Sequence, residues 1–279
     1  MNQPIVLVTG CSKGGIGYAL CEQFAKSGCR VFATARRLAA LDGLEAFGCD
    51  KLELDITNAE SIKATFEKII EEAGHIDILV NNAGTPAVGA LLDIEYDKVR
   101  ACIDTNVIGT LSMCRVVGRH MADRGSGKIV NVGSVVGYAS TPWAGIYALS
   151  KAAVHAMTDS LRLELKPFGI QVIVVAPGAI RSNIGVAGTE TINIPPDSLY
   201  KKVSTYIYKR ATMSQGPDST PNTVFAAHVV GQVLRRDPPR YITFGAKSFA
   251  FVLFYYLPHF VKDYVMSKLF GINELKKLQ

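Results

Sequence analysis

The 279-residue chain has no C-x-x-C pair, and none of its six cysteines (11, 21, 29, 49, 102 and 114) lies in the second half. That scatter excludes a paired-thiol redox centre and argues against a disulfide framework, so reduced and mostly buried thiols are expected. The five histidines lack metal-ligand spacing. No metal site is expected, and His155 reads as a packing or surface residue. Lysines and arginines number 30 against 24 acids, a net charge of +6, but no basic run resembles a nucleic-acid arm. Nucleic acid is therefore not an expected partner, and the mild excess suits anionic cofactors or membrane surfaces. No low-complexity linker or internal repeat divides the chain. Its start, Met1-Asn-Gln-Pro4, runs at once into an apolar strand without a signal peptide, which predicts a cytosol-facing protein.

What is present is a globular composition, 48% hydrophobic and 19% charged. Short apolar runs at Ile5–Val8, Val31–Thr34, Lys51–Leu54, Ile78–Val80, Lys128–Val132 and Gln171–Val175 read as strands. Helix-period segments alternate with them, near Ile16–Ser27, Leu38–Phe47, Ser61–Ala73, Glu95–Asp104 and Val107–Arg124, followed by the helix of Tyr147. Strict alternation predicts an α/β fold, a doubly wound parallel sheet with helices on both faces and ligands at the carboxyl ends of its strands. Gly10, Asn82, Ser134 and Pro177-Gly178 each follow a strand and so converge on one rim. Residues 179–222, broken by glycines and prolines, read as an irregular binding loop.

Thr9-Gly10-Cys-Ser12-Lys-Gly14-Gly15-Ile16-Gly17 joins the first strand to the first helix, where glycines admit a pyrophosphate and the helix amino terminus favours it. The same letters spell Gly10-x-Ser12-x-Gly14, the elbow of a serine esterase or lipase, but nothing marks an acid–histidine pair for Ser12. Thr34-Ala35-Arg36-Arg37 ends the second strand without a carboxylate, so an arginine there suits a 2′-phosphate and NADP(H) is the expected cofactor. Asp55 ends the third strand; it suits an adenine amino group and equally a helix cap near Asn58.

Tyr147-Ala-Leu-Ser-Lys151 places a phenol and an ammonium one helical turn apart, with Ser134 thirteen residues ahead of the tyrosine. A phenol with a reference pKa of ~10 needs a nearby positive charge to work as an acid–base group at neutral pH. The Ser134 hydroxyl is then free to hold a substrate oxygen. Tyr264-Val-Met-Ser-Lys268 repeats the pattern, but Phe251 stands thirteen residues ahead of it, so that pair reads as a helix-surface contact.

Together these features resemble the short-chain dehydrogenase/reductase family over residues 4–245, on Thr9 to Gly17, Asn81-Asn-Ala-Gly84, Asn106, Ser134, Tyr147/Lys151 and Pro177-Gly178 in order. The resemblance implies a Rossmann-like fold, Tyr147 as the acid–base residue, Ser134 positioning the carbonyl, and Lys151 also binding the nicotinamide ribose. It implies Asn106 holding a proton-relay water and Ile180 and Ser182 near the carboxamide. Gly10, Ser12, Ile16, Gly17, Arg36, Asp55 and Asn82 complete the expected cofactor contacts. The glycine loop is one residue longer than the family's usual pattern, which leaves the roles of Gly14 and Gly15 open, and Ser182 stands where threonine is commoner.

More narrowly, the chain is similar to fungal NADPH-dependent 1-acyldihydroxyacetone phosphate reductases. The similarity rests on the glycine loop through Tyr18, Ala33-Thr-Ala-Arg-Arg37, Leu163-Glu-Leu-Lys-Pro-Phe168 and the tail Leu257-Pro…Phe270-Gly-Ile-Asn273. It implies carbonyl reduction on a lipid-like substrate; related enzymes reduce steroids, retinoids and polyketide ketones on similar frames.

Residues 246–279 form an apolar tail in which Ser248–Val261 holds no Asp, Glu, Lys or Arg. The run is shorter than the ~20 residues needed to span a bilayer. Flanked by Lys247 and Lys262, it reads as an anchor on the surface of the endoplasmic reticulum or a lipid droplet, dispensable for chemistry on a soluble substrate. The competing reading is a subunit interface, and a homo-oligomer is expected.

Overall fold

In the computed structural model residues 3–275 are described. The chain begins with β1 (Ile5–Val8), α1 (Ile16–Lys26), β2 (Arg30–Ala35), β3 (Asp50–Glu53), α2 (Ala59–Ala73) and β4 (Ile78–Asn81). Then come α3 (Tyr96–Ile103), α4 (Thr110–Arg124), β5 (Gly127–Val132), α5 (Gly145–Leu165) and β6 (Ile170–Pro177). The last third holds β7 (Ile180–Arg181), α6 (Ile184–Glu190), α7 (Ser204–Thr212), β8 (Thr220–Pro221), α8 (Asn222–Val233) and β9 (Tyr241–Phe244). Three tail helices follow, α9 (Ser248–Tyr256), α10 (His259–Leu269) and α11 (Ile272–Leu275).

Seven parallel strands form one sheet in the order β3-β2-β1-β4-β5-β6-β9. Successive residues of a strand face opposite sides, so β1 feeds two cores at once. Val6 and Val8 pack with Phe24, Phe225 and Val229 of α1 and α8, whereas Ile5 and Leu7 pack with Ile69, Met113 and Val117 of α2 and α4. Each large side chain removed from water this way contributes about 1.5–3 kcal/mol. The strand order reverses between β1 and β4, which opens a crevice at the strands' carboxyl ends. The expected doubly wound sheet with helices on both faces is present.

Several details differ from the sequence reading. The expected helix over 38–47 is two short 3-10 turns, Leu38–Leu41 and Leu44–Phe47, because Gly43 between them adopts a φ of +99°. The two helices expected over 95–124 run on into each other through a π-helical segment, Asp104–Gly109. Residues 179–222 are not an irregular loop. They fold into α6 and α7 with the small β7–β8 sheet, and Gly188 brings α6 close to α7: a Cβ there would lie 3.5 Å from Ala211. The strand β9 and helix α8 were outside the sequence reading.

The tail breaks at Pro258, as its sequence suggests, but it is not a detached appendage. Met266 and Phe270 join a third core cluster with Val88, Trp143, Val203 and Ile207. The Trp143 indole donates to the Phe270 carbonyl at 3.0 Å, and the Tyr206 hydroxyl donates to Glu274. The boundary drawn at residue 245 therefore does not separate independent bodies. Residues 276–279 of the expected tail lie outside the described residues.

Candidate active site

One cleft of about 690 Å³ runs along the carboxyl-end rim of the sheet. Gly10, Ser12, Ile16, Arg36 and Asp55 line it beneath β1 to β3; Ser134, Tyr147 and Lys151 line it near β5; Ile180, Ser182, Arg210, Lys247 and Phe251 line it beyond β6. The convergence expected from strand-end motifs is realised.

The glycine loop is shaped by close approach. Gly10 has a φ of +71°, and a Cβ there would lie 2.6 Å from the Ala83 Cα. A Cβ at Gly17 would lie 2.6 Å from the Gly10 carbonyl oxygen, so α1 packs directly on the turn. The two central glycines have separate jobs: Gly14 takes the left-handed conformation, φ +80°, and Gly15 is the residue that precedes α1. No side chain caps α1, and its first turn holds no acid, so its first amides can receive an anion. The lengthened loop is tied down from the far end of the chain. Asn183 donates to the Lys13 carbonyl at 2.6 Å and Asn222 to the Gly14 carbonyl at 3.1 Å.

Asn82 lines the cleft while its amide donates to the Thr9 and Gly10 carbonyls, both at 2.9 Å, so it holds the glycine turn in place. Arg36 lines the cleft and Arg37 does not. Asp55 is not the helix cap: Asn58 caps α2, accepting from the Glu60 and Ser61 amides. The Asp55 carboxylate instead accepts from Thr57, by its hydroxyl at 2.7 Å and its amide at 2.9 Å, and these bonds, with the charge of Arg36, hold its pKa below the usual range. A dinucleotide fits this half of the cleft, and a cation with no competing acid at the end of β2 suits a 2′-phosphate.

Deeper in, Lys151 is 4% exposed and donates to the Val132 carbonyl at 2.8 Å, with its nitrogen 5.7 Å from the Tyr147 ring centre. Burial lowers its pKa to about 8. Burial also pushes Tyr147 up to about 12, opposed by the charge of Arg210 and by the Ser134 hydroxyl. The expectation that Lys151 lowers the phenol pKa is thus not met in this arrangement. Desolvation outweighs it, and the ammonium is committed to a backbone carbonyl. Ser134 is itself anchored: its amide donates to His155 Nε2 at 3.3 Å, and its hydroxyl accepts from the Val136 amide at 3.3 Å.

Asn106 sits in the π-helical segment and is almost fully buried. Its oxygen accepts from the Thr85 amide at 2.8 Å, and its nitrogen donates to the Thr85 carbonyl at 3.0 Å and the Ser150 hydroxyl at 2.9 Å. A Cβ on Gly84 would lie 3.2 Å from the Asn106 oxygen and 3.5 Å from the Lys151 nitrogen, so Asn106 and Lys151 flank one glycine. Ile180 lies in β7, and the Ser182 amide donates to Gln215 at 3.1 Å.

A family model for short chain dehydrogenases matches residues 4–192. The chain belongs to the short-chain dehydrogenase family. It is 38% identical over 278 residues to the short-chain dehydrogenase ptmH of Penicillium ochrochloron, covering 98% of this chain and 100% of that one. It is 36% identical over 202 residues to an NADPH-dependent 1-acyldihydroxyacetone phosphate reductase of Schizosaccharomyces pombe, covering 71% and 68%. A short-chain dehydrogenase structure from Streptomyces avermitilis superposes with a TM-score of 0.79 at 28% identity, over 99% and 98% of the two chains.

As a short-chain dehydrogenase the chain is an oxidoreductase acting on CH–OH or carbonyl groups, with NADP(H) as its cofactor. The esterase reading of Ser12 fails on geometry, because no histidine lines the cleft. Sequence reasoning missed four residues. His155 is not a surface or simple packing residue but the acceptor that fixes Ser134. Its spacing from Lys151, one turn further along α5, was the available signal. Arg210, Lys247 and Phe251 had no local motif at all.

Proposed function

We propose that the protein uses NADPH to reduce the ketone of a lipid-like substrate to an alcohol, with a 1-acyldihydroxyacetone phosphate as the substrate that fits best. The observation that carries this is the single cleft that joins Arg36 and the glycine loop to Ser134, Tyr147 and Lys151 and then to an apolar wall of Val88, Ala144, Met213 and Phe251. The name of the Schizosaccharomyces pombe relative supports the substrate class.

NADPH, when bound along the glycine loop, supplies the hydride. The Ser134 hydroxyl, fixed through its backbone by His155, holds the carbonyl oxygen. Tyr147 keeps its proton at neutral pH, since burial raises its pKa, and gives that proton to the same oxygen as negative charge grows there. Lys151, protonated below about pH 8, holds positive charge on the interior side of the phenol, while Asn106, bound to Thr85 and Ser150, fixes the backbone beside it. Each of these groups works only as part of the set, which the apolar wall shields from water.

The test is NADPH oxidation by purified protein across acyl-dihydroxyacetone phosphates, hydroxysteroid-type ketones, retinal and polyketide ketones. Turnover with an acyl ketone well above the others supports the reading; turnover with steroids alone would replace it.

We propose further that the tail rests on a lipid surface, of the endoplasmic reticulum or a lipid droplet, as a peripheral attachment. Among the described residues no helix is long and apolar enough to cross a membrane. Phe249 is 80% exposed, Tyr256 79% and Phe260 73%, with Lys247 and Lys262 beside them, an arrangement suited to interfacial insertion. Replacing Phe249, Tyr256 and Phe260 together by Ser, which spares Met266 and Phe270, should abolish flotation with anionic vesicles. If it leaves flotation unchanged but splits an oligomer, the surface joins subunits instead.

A further inference from the structure

The far wall of the cleft holds a cation that the mechanism above does not use. Arg210 stands in the last turn of α7, outside any motif and half-buried, and it lines the cleft with Ala211, Met213 and Ser214 from the same helix end. A guanidinium has five N–H donors and no acceptor, and it keeps its charge in proteins. Here the Nε donates to the Thr141 hydroxyl at 2.9 Å. Among the described residues no carboxylate pairs with the guanidinium, and burial pulls its pKa down with only the Tyr147 phenol acting against that. The two acids on the cleft wall, Asp55 and Asp104, lie after β3 and in the π-helical segment, not beside α7.

A charge partly withdrawn from water without a charged partner costs stability, which a partner arriving from outside would offset. The same cleft is also lined by Val88, Ala144, Ala187 and Gly188, which are apolar or small and offer no charge to a guanidinium. Arg210 and Tyr147 line the same cleft, so a substrate whose carbonyl meets Tyr147 can present another group to the guanidinium. We infer that Arg210 receives an acidic group of the substrate, a phosphate monoester or a carboxylate borne a few bonds from the ketone, while the apolar wall takes the hydrocarbon part. This rests on the ketone-reductase reading above and narrows it, since neutral steroids, retinoids and simple ketones would leave Arg210 without a charged partner in the cleft. Lys247, also on the wall but exposed, is a weaker second candidate for the same group.

The experiment compares three ketones with the same acyl chain, ending in a phosphate, a carboxylate or a neutral hydroxyl, in the wild type, Arg210→Gln and Arg210→Lys. The wild type should prefer an anionic ketone. Arg210→Gln should lose ~100-fold in kcat/KM on it, mostly through KM, as expected for removal of one partner of a hydrogen-bonded charge pair in a cleft. The loss on the neutral ketone should be at least tenfold smaller, and Arg210→Lys should recover part of the loss because its point charge cannot form the bidentate fork. Whichever anionic ketone shows the larger loss identifies the group. Equal losses on neutral and anionic ketones would overturn the inference and make Arg210 a partner of Tyr147 or of Thr141 instead. A wild type that prefers the neutral ketone would also overturn it. Calorimetric binding of the matching alcohols to the NADP-loaded protein reads Arg210 without turnover. If no ketone is reduced but the phosphate alcohol binds and Arg210→Gln loses it, the reductase reading fails while the anion site stands. If neither acidic alcohol binds more tightly than the neutral one, the anion site fails. Equal NADPH affinity in the variants shows that they are folded.

Discussion

Tyr147/Lys151 on α5 and Tyr264/Lys268 on α10 are the same five-residue pattern in the same secondary structure, yet they occupy opposite environments. Lys151 is buried against the Val132 carbonyl and Tyr147 faces the cleft, whereas Tyr264 is 68% exposed and lies outside it. One turn past Lys151 stands His155, which holds Ser134; one turn past Lys268 stands Ile272, in α11. The contrast teaches that an i,i+4 pair becomes chemistry through burial, a fixed third residue and a cleft, none of which the pair itself encodes.

The comparison breaks most sharply at the lysines. Lys151→Ala should cut NADPH-dependent turnover by ~10³-fold, within the range of positioned proton-transfer groups, while Lys268→Ala stays near wild type. Comparable losses in steady-state assays of the two variants would erase the distinction between the pairs.

A second difference is that only α5 shares its cleft with a cofactor cradle. Arg36→Ala should weaken NADPH about 10-fold, the effect of an exposed charge-assisted bond, and leave NADH nearly unchanged; Ala35→Asp should push the preference towards NADH. Fluorescence titration reads both. Parallel weakening of the two cofactors would remove Arg36 from the 2′-phosphate.

The smallest effect concerns His155. Burial and the charge of Lys151 lower its pKa to about 4, below its ordinary value near 6.5, so the unfolded chain binds its proton first as pH falls. Stability from this residue is complete above about pH 6.5 and drains away towards pH 4, with roughly 2 kcal/mol gone by pH 5. Thermal melts between pH 7 and 5 should therefore slope less steeply in His155→Gln. Matching slopes in the two proteins would mean that other groups set the acid limb.

Truncation at Gly245 would not isolate the tail. It would remove Lys247 and Phe251 from the cleft wall and Met266 and Phe270 from a core cluster, and leave the Trp143 indole unpaired.

The strands, the parallel sheet and the cofactor cradle were legible in the sequence because each rests on local signals, an apolar run followed at once by Gly10, Asn82 or Ser134. The substrate side was not. α6 and α7 are short helices whose glycines and prolines imitate a loop, and the helix packing that Gly188 permits depends on Ala211, more than twenty positions away. Arg210 and Phe251 reach the cleft from after β6 and β9 by tertiary packing alone. His155 was visible as a residue but not as a support, since its partner is the backbone of Ser134. The lowered phenol pKa was inferred from spacing and reversed by desolvation, a quantity that spacing does not contain.

Context, not pattern, makes Tyr147 the proposed proton donor. Single-turnover reduction of an acyl ketone by NADPH-loaded Tyr147→Phe and Tyr264→Phe tests it directly, with cofactor affinity measured alongside. Tyr147→Phe should lose at least ~10³-fold in rate with NADPH still bound, and Tyr264→Phe should match the wild type. Retained turnover in Tyr147→Phe, or an equal loss in Tyr264→Phe, would contradict it.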